Sequence, residues 1–308
     1  MKTKSVPVSI AYCVFGLLLV FPAAGRADVL FVSNIGDNSI EKFNSSGGGT
    51  VFSSFQPGPE GLAFDQAGNL YVANEYSDNS PFNNTIERFN SSGVGTVFAT
   101  GDSGVNWAVG LAFDGAGNLY AGNFYPNTLV KFDSLGAGTT FATSGLNGPE
   151  QLAFDKAGNL YVANYFGATV ERFTPSGAGT VFAGPSVGLA HPMGLAFDSL
   201  GNLYVSNQGN NTIDKITPVG VASVFASSGL NGPAGLAFDS NGNLYVANEY
   251  NNTIEKFNSS GVGTVFASSG MNEPIFLAFQ PVPEPSAWVL LACGYSALLY
   301  RPSRLIRG

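Results

Sequence analysis

Residues 235–248 read GLAFDSNGNLYVAN. Two short apolar runs, Leu236-Ala237-Phe238 and Leu244-Tyr245-Val246-Ala247, flank Asp239-Ser240-Asn241-Gly242-Asn243. Runs this short, bounded by turn residues, fit a β-hairpin and lack the longer apolar period of a helix. Asp239 starts the turn by capping its own backbone, and Gly242 takes the left-handed position required by a turn followed by a bulge. A lone hairpin is marginal in water, so a chain that repeats one must stack the copies.

The chain does repeat it. The first apolar run returns at Gly61, Gly110, Gln151, Gly194, Gly235 and, in degenerate form, Phe276, at spacings of 49, 41, 43, 41 and 41 residues. The second returns at Leu30, Leu70, Leu119, Leu160, Leu203 and Leu244, ending each time in asparagine. A third, of the type Thr-Ile-Glu-Lys-Phe, starts at Ser39, Thr85, Thr128, Thr169, Thr212 and Thr253. A fourth, of the type Thr-Val-Phe-Ala, starts at Thr50, Thr96, Thr139, Thr180, Ser223 and Thr264. Four strands per unit at this period mark an all-β fold, a six-bladed β-propeller of four-stranded antiparallel blades.

The first unit lacks its first strand, and an orphan first strand, Phe276-Leu277-Ala278-Phe279, precedes the tail. The sequence therefore predicts one blade shared by residues 28 to about 56 and about 274 to 280. Pairing the C-terminal strand with the N-terminal blade closes the ring and removes two open sheet edges.

The terminal segments read as addresses. Residues 1–27 combine Lys2 and Lys4, an apolar run from Val6 to Phe21 and the small residues Gly25 and Ala27, which predicts a secretory signal peptide cut after Ala27. Residues 281–308 contain Pro283-Glu284-Pro285, an apolar run from Ala287 to Tyr300, and Arg301, Arg304 and Arg307. A rigid spacer, a short membrane-inserting helix and a basic stop make a transient anchor with its arginines on the cytoplasmic side.

Between them, residues 28–280 hold 20 acidic and 7 basic residues and no cysteine. That body forms no disulfide, and its acidity repels phosphate backbones and excludes nucleic acid as a partner. The basic residues fall at one position of the third strand (Lys42, Arg88, Lys131, Arg172, Lys215 and Lys256), mostly preceded by an acid. That regularity predicts a solvated face with cross-strand pairing.

In such a blade the turns joining strands one to two and three to four lie on one face of the disc. The remaining connections lie on the other. The first set hardly varies, as Asp65 to Asn69 and Asp155 to Asn159 show. The second carries the differences, among them Tyr76 to Asn83 with Phe82, and Gly101 to Trp107 with Asn106. Variable loops on a rigid scaffold are where binding surfaces lie, so Tyr76, Phe82, Asn106 and Trp107 are the candidate binding residues. At the channel mouth the first strands open with Glu60, Val109, Glu150, Met193, Ala234 and Ile275. Glu60 and Glu150 could share a calcium ion, with Asn106, Asn147 and Asn231 adding amide oxygens. His191 is the one histidine and has no recognisable nucleophile beside it, so no catalytic residues are assigned.

Two resemblances add to this. Pro233 to Phe257 resembles the NHL repeat, and the pattern covers residues 28–280. Proteins of similar architecture include gluconolactonase and paraoxonase-like lactonases and streptogramin lyases. The lactonase resemblance implies metal ligands at the start of several inner strands; Glu60 and Glu150 match in type, whereas Val109, Met193, Ala234 and Ile275 depart from it. The tail is similar to the PEP-CTERM sorting signal of Gram-negative bacteria. That resemblance implies export by the secretion machinery, a transient inner-membrane anchor, and cutting by an exosortase near Pro283-Glu284-Pro285 before delivery to the outer surface or extracellular matrix. The expected function is a non-enzymatic binding or scaffold protein whose partners are extracellular polysaccharide or surface proteins. The alternative is a metal-dependent lactonase- or lyase-like enzyme with its site in the central channel.

Overall fold

The computed structural model describes residues 28–54, 58–75 and 84–281. The signal segment with Ala27, the sorting segment with Pro283, Glu284 and Pro285, and the loop holding Tyr76 and Phe82 lie outside the described residues. Among the described residues, no helix is long and apolar enough to cross a membrane.

Six four-stranded antiparallel sheets form the six blades. In the sixth blade the strands are Pro233–Phe238, Leu244–Asn248, Thr253–Phe257 and Gly263–Ala267. The first strand of every blade is innermost and touches the first strands of its neighbours around the ring. The second strand is buried along its whole length, and the fourth is the exposed outer edge. Pro274–Phe279 pairs with Leu30–Asn34, so Leu30 faces Phe279 and Val32 faces Leu277. The ring closes as its ends predict, in a blade that also holds Ser39–Phe43 and Gly49–Ser54.

Aromatic rings clamp blade to blade. Tyr161 of the fourth blade stands edge-on to Phe182 of its own outer strand and to Phe197 of the next inner strand, both at 5.0 Å. Tyr245 does the same with Phe266 at 4.9 Å and Phe279 of the closing strand at 5.1 Å. Each such pair contributes about 0.5–1.5 kcal/mol beyond the area it buries.

The turn read first from the sequence is built as expected. Asp239 Oδ1 accepts from the Asn241 and Asn243 amides at 3.0 and 2.8 Å, Oδ2 accepts from Asn243 Nδ2 at 2.7 Å, and Gly242 has φ +80°. Burial disfavours charge on Asp239, but the Asn243 donors and Lys256 outweigh it and hold the carboxyl below its ordinary range. The third-strand pairs differ from the expected solvated face. Successive residues of a strand point to opposite sides, so Lys256 reaches Asp239 at 3.4 Å while its neighbour Glu255 is buried. Glu41, Glu171 and Asp214 are buried in the same way.

Candidate functional site

Every inner strand carries a bulge that builds the channel mouth. Pro59 pairs with Asn74 and Leu62 with Val72, leaving Glu60 and Gly61 together opposite one residue. The register shifts likewise after Ala108, Pro149, Pro192, Pro233 and Pro274. A bulge re-aims side chains that a regular ladder would send elsewhere.

The second bulged residue sets the floor. It is glycine in four inner strands, where a Cβ would collide with the neighbouring backbone: at Gly61 it would meet the Val109 carbonyl oxygen, and at Gly110 that of Glu150. Gln151 and Phe276, three blades apart, occupy the other two positions. Gln151 Oε1 accepts from the Leu195 and Leu236 amides at 3.1 and 3.3 Å, and its Nε2 donates to the Leu236 carbonyl at 3.3 Å. Its amide thereby ties three inner strands together. Phe276 is buried as well.

The first bulged residue sets the wall. Glu60 and Glu150 are 5% and 6% exposed, and Glu60 feels the charge of Glu150. Val109, Met193, Ala234 and Ile275 join one apolar cluster with Ile35, Phe124 and Tyr165 packed against it. Two further carboxyls reach the same place, those of Glu75 and Glu249. Each follows the asparagine that ends a second strand, and the sequence reading missed both. The signal was available in the column Ile35, Glu75, Phe124, Tyr165, Gln208, Glu249.

Electrostatics at the mouth are one-sided. Glu60 and Glu75 interact through their carboxyls, which raises Glu60, while burial lifts Glu75 above its ordinary range despite that interaction. Burial first, then the charges of Glu75, Glu150 and Glu249, push the Glu60 carboxyl well above its ordinary range. Burial, with Glu75 and Glu249, raises Glu150 to about 8. Among the described residues, Glu60 Oε2 is buried with no hydrogen-bond partner. Basic side chains are occupied elsewhere: Lys131, Lys215 and Lys256 pair with turn aspartates, and Lys156 donates to the Ser199 carbonyl at 2.6 Å.

The residue before each inner strand forms the rim, and its backbone is left-handed in all six blades. Gly58, Gly148 and Gly232 adopt this freely, whereas Trp107, His191 and Glu273 hold φ of 54°, 47° and 53°. Bulky residues in this region carry strain that persists where surrounding structure enforces it. Here the anchor is an asparagine of the preceding blade: Asn84 Oδ1 accepts from the Trp107 amide and Asn252 Oδ1 from that of Glu273, both at 2.7 Å. At two of the three rim glycines an aromatic takes the space, since a Cβ on Gly148 would lie 2.8 Å from the Phe166 ring and one on Gly232 2.6 Å from that of Tyr250.

Rings therefore run continuously over three blades. Trp107 meets Tyr125 at 4.8 Å, Tyr125 meets Phe124 at 5.0 Å, Phe124 meets Phe166 at 5.3 Å, Phe166 meets Tyr165 at 5.3 Å, and Tyr165 stacks on His191 at 4.6 Å. Tyr125 and Phe166 are 60% and 57% exposed. From this run Tyr165 donates to Gln208 Oε1 at 2.8 Å, and Gln208 donates to Glu249 Oε2 at 2.6 Å. The aromatic rim and the acidic mouth are one connected surface.

Of the residues singled out in the sequence, Glu60 and Glu150 occupy equivalent bulge positions of two inner strands and Trp107 stands on the rim against Tyr125. Asn106 is exposed, and the contact seen for it is through the main chain, its amide donating to Asn123 Oδ1 at 3.1 Å. Asn147 and Asn231 donate their amides to Asn164 and Asn248 in the same manner. The exception in this series is Asn74, whose Oδ1 is buried without a partner among the described residues. The residue at the equivalent spacing is Pro57, which has no N–H to give.

The NHL repeat family model matches residues 230–257, and that of the strictosidine synthase-like N-terminal domain matches residues 122–167. No curated protein sequence matches the chain. Among solved structures, a chain in the crystal structure of a nidogen/laminin complex is 19% identical with a TM-score of 0.71, over 84% of this chain and 99% of that one. The virginiamycin B lyase from Staphylococcus aureus is 17% identical with a TM-score of 0.63, over 82% and 87%. A streptogramin B lyase is 16% identical with a TM-score of 0.61, over 82% and 95%. Likeness at these identities is one of fold, and a propeller hosts both binders and enzymes.

Proposed function

We propose that this chain is an exported, non-enzymatic binding propeller that meets its partner with the channel-mouth face. The observation that carries the reading is the run of six rings from Trp107 to His191, exposed at Tyr125 and Phe166 and continuous with the acidic mouth. Aromatic residues and a desolvated centre are what interfaces use for affinity. A propeller chain in a nidogen/laminin complex supports a protein partner by analogy of fold; extracellular polysaccharide would also use exposed rings. The test is a binding screen of purified chain against extracellular polysaccharide and surface proteins. Trp107→Ala with Tyr125→Ala is expected to lose the partner, and unchanged binding by the double variant would end this reading.

The terminal segments support delivery: secretion with a cut after Ala27, transient inner-membrane anchoring, then exosortase processing at Pro283-Glu284-Pro285 and release to the outer surface or matrix. Mass spectrometry of the mature protein tests it, with Asp28 expected as the first residue and the arginine-rich end missing.

A second reading, a metal-dependent lactonase- or lyase-like enzyme, is favoured by the coupling of Glu60 and Glu150 at the mouth. Carboxylate oxygens suit calcium. The fit is partial, because among the described residues no three His, Cys, Asp or Glu side chains converge to hold a metal. Elemental analysis decides it: one ion per chain, lost in Glu60→Gln with Glu150→Gln, would establish the site, and its absence from gently purified protein would dismiss it.

A further inference from the structure

The two faces of the disc expose different apolar groups. Among the described residues, the exposed large aliphatic side chains, such as Val51, Leu135, Leu200 and Val265, all stand in fourth strands or in turns of the opposite face. The exposed rings of Tyr125, Phe166 and Tyr250 all stand on the mouth face. They share one position of the repeat, the second residue after the asparagine that ends a second strand.

Each of these rings has an exposed amide beside it. Phe166 donates its main-chain N–H to the Asn147 carbonyl at 3.2 Å, and Tyr250 donates to that of Asn231 at 3.3 Å. In the third blade, counting the closing blade as the first, Trp107 touches Tyr125 and is next in sequence to Asn106. Asn106, Asn147 and Asn231 are exposed, and each spends its main-chain amide on the asparagine of its own second strand. Among the described residues, their side-chain amides have no hydrogen-bond partner. The main-chain bond belongs to the scaffold, since Gly209 makes it to Ala190 in the fifth blade with neither ring nor amide. Ring and amide are additions to that scaffold, placed side by side.

Two such units are neighbours. Tyr125 of the third blade and Phe166 of the fourth are linked through Phe124, at 5.0 and 5.3 Å. Their setting is held firm, because Asn84 Oδ1 accepts from the Trp107 amide and Asn127 Oδ1 from the Gly148 amide, both at 2.7 Å. Tyr250 stands alone, two blades further on. No base reaches this face: all seven basic side chains of residues 28–280 lie in third strands or, for Lys156, in a turn of the opposite face.

Resting on the binding reading above, we propose that the rim over the third and fourth blades binds a neutral polysaccharide of gluco-configured pyranoses, its sugar faces stacked on Tyr125 and Phe166 and its hydroxyls bonded to the Asn106 and Asn147 amides. The face of an aromatic ring is electron-rich. A gluco-configured pyranose presents axial C–H bonds on both faces, which suits that charge. Its hydroxyls are equatorial and lie at the perimeter, where an amide beside the ring both donates and accepts. A sugar acid would bring negative charge to a face that offers no base. A protein interface gathers an apolar core around its rings, whereas here amides flank the rings and the aliphatic side chains are exposed elsewhere.

The experiment is calorimetric titration of the purified chain with cellohexaose and chitohexaose, both neutral, and with hexagalacturonic acid. The neutral hexamers are expected to bind with an affinity that salt changes by less than about twofold, and the acid at least about tenfold more weakly. Phe166→Leu keeps the apolar bulk and removes the ring, and should weaken cellohexaose about tenfold. Asn147→Ala should weaken it about fivefold, and Tyr250→Ala by less than about twofold. These side chains are exposed, so an unchanged Tm is expected in each variant. Cellohexaose binding untouched by both Phe166→Leu and Asn147→Ala would overturn the proposal, as would tighter binding of the acid. So would failure of both neutral hexamers. If they fail while a protein partner is lost in Trp107→Ala with Tyr125→Ala, this inference falls and the binding reading stands. Sugar binding that survives that double variant would end both.

Discussion

The two faces of the disc are made by the same repeat and finished differently. On the turn face the repeated polar groups are matched: Asp114, Asp198 and Asp239 each accept from two backbone amides and an asparagine, and each faces a lysine. Even its inter-blade furrows repeat, one of about 390 Å³ lined by Asp198, Lys215 and Asp239. On the mouth face the equivalent columns diverge, carboxyls gather without a cation, and left-handed backbone is imposed on Trp107, His191 and Glu273. Unsatisfied chemistry marks the face proposed to meet a partner. Saturated chemistry marks the face that holds the ring together.

That contrast can be broken by mutation. The largest expected effect is on the clamped side: Tyr161→Ala removes two edge-on ring contacts and should cost about 3–5 kcal/mol in denaturant unfolding with no change in ligand affinity of the folded protein. Next comes Glu150. The folded chain keeps its proton up to about 8, whereas the unfolded chain releases it near the ordinary 4.5, so stability falls as pH rises through that window by up to ~1.4 kcal/mol per unit. Glu150→Gln should flatten this slope and raise Tm above pH 7; an unchanged slope would mean the carboxyl is already charged. Asp239→Ala on the turn face should cost about 2 kcal/mol through its lost hydrogen bonds, read as a lower Tm. The smallest effect is at the rim, where Glu273→Gly relieves left-handed strain and removes a charge that acts on Glu249. A gain of about 1 kcal/mol is expected, and a loss would show that the strain is not there.

The saturated face was the legible one. Asp-x-x-Gly-Asn states its own turn, because the capping carboxylate and the glycine conformation are local, and the orphan strand at Phe276 states the closure. The mouth needs three dimensions. Glu75 and Glu249 follow second strands while Glu60 and Glu150 stand in inner-strand bulges, so their relation appears only when the strands are paired. The acid and base of each third strand stand side by side in sequence, yet the pleat sends Glu255 inward and Lys256 toward Asp239. Trp107 was visible as a longer aromatic loop. Its continuation through Tyr125, Phe124 and Phe166 depends on neighbouring blades and could not be seen in any one copy.

The strand that completes the first blade is the last one to be made. Until Pro274–Phe279 is available, Leu30, Phe31 and Val32 have no neighbour on their inner side, although they begin the blade. Ring closure is therefore a completeness check: a copy cut short before Pro274 stays open at a seam of apolar residues. A cut beyond Pro281 spares the seam, because every residue that pairs across it lies before that point.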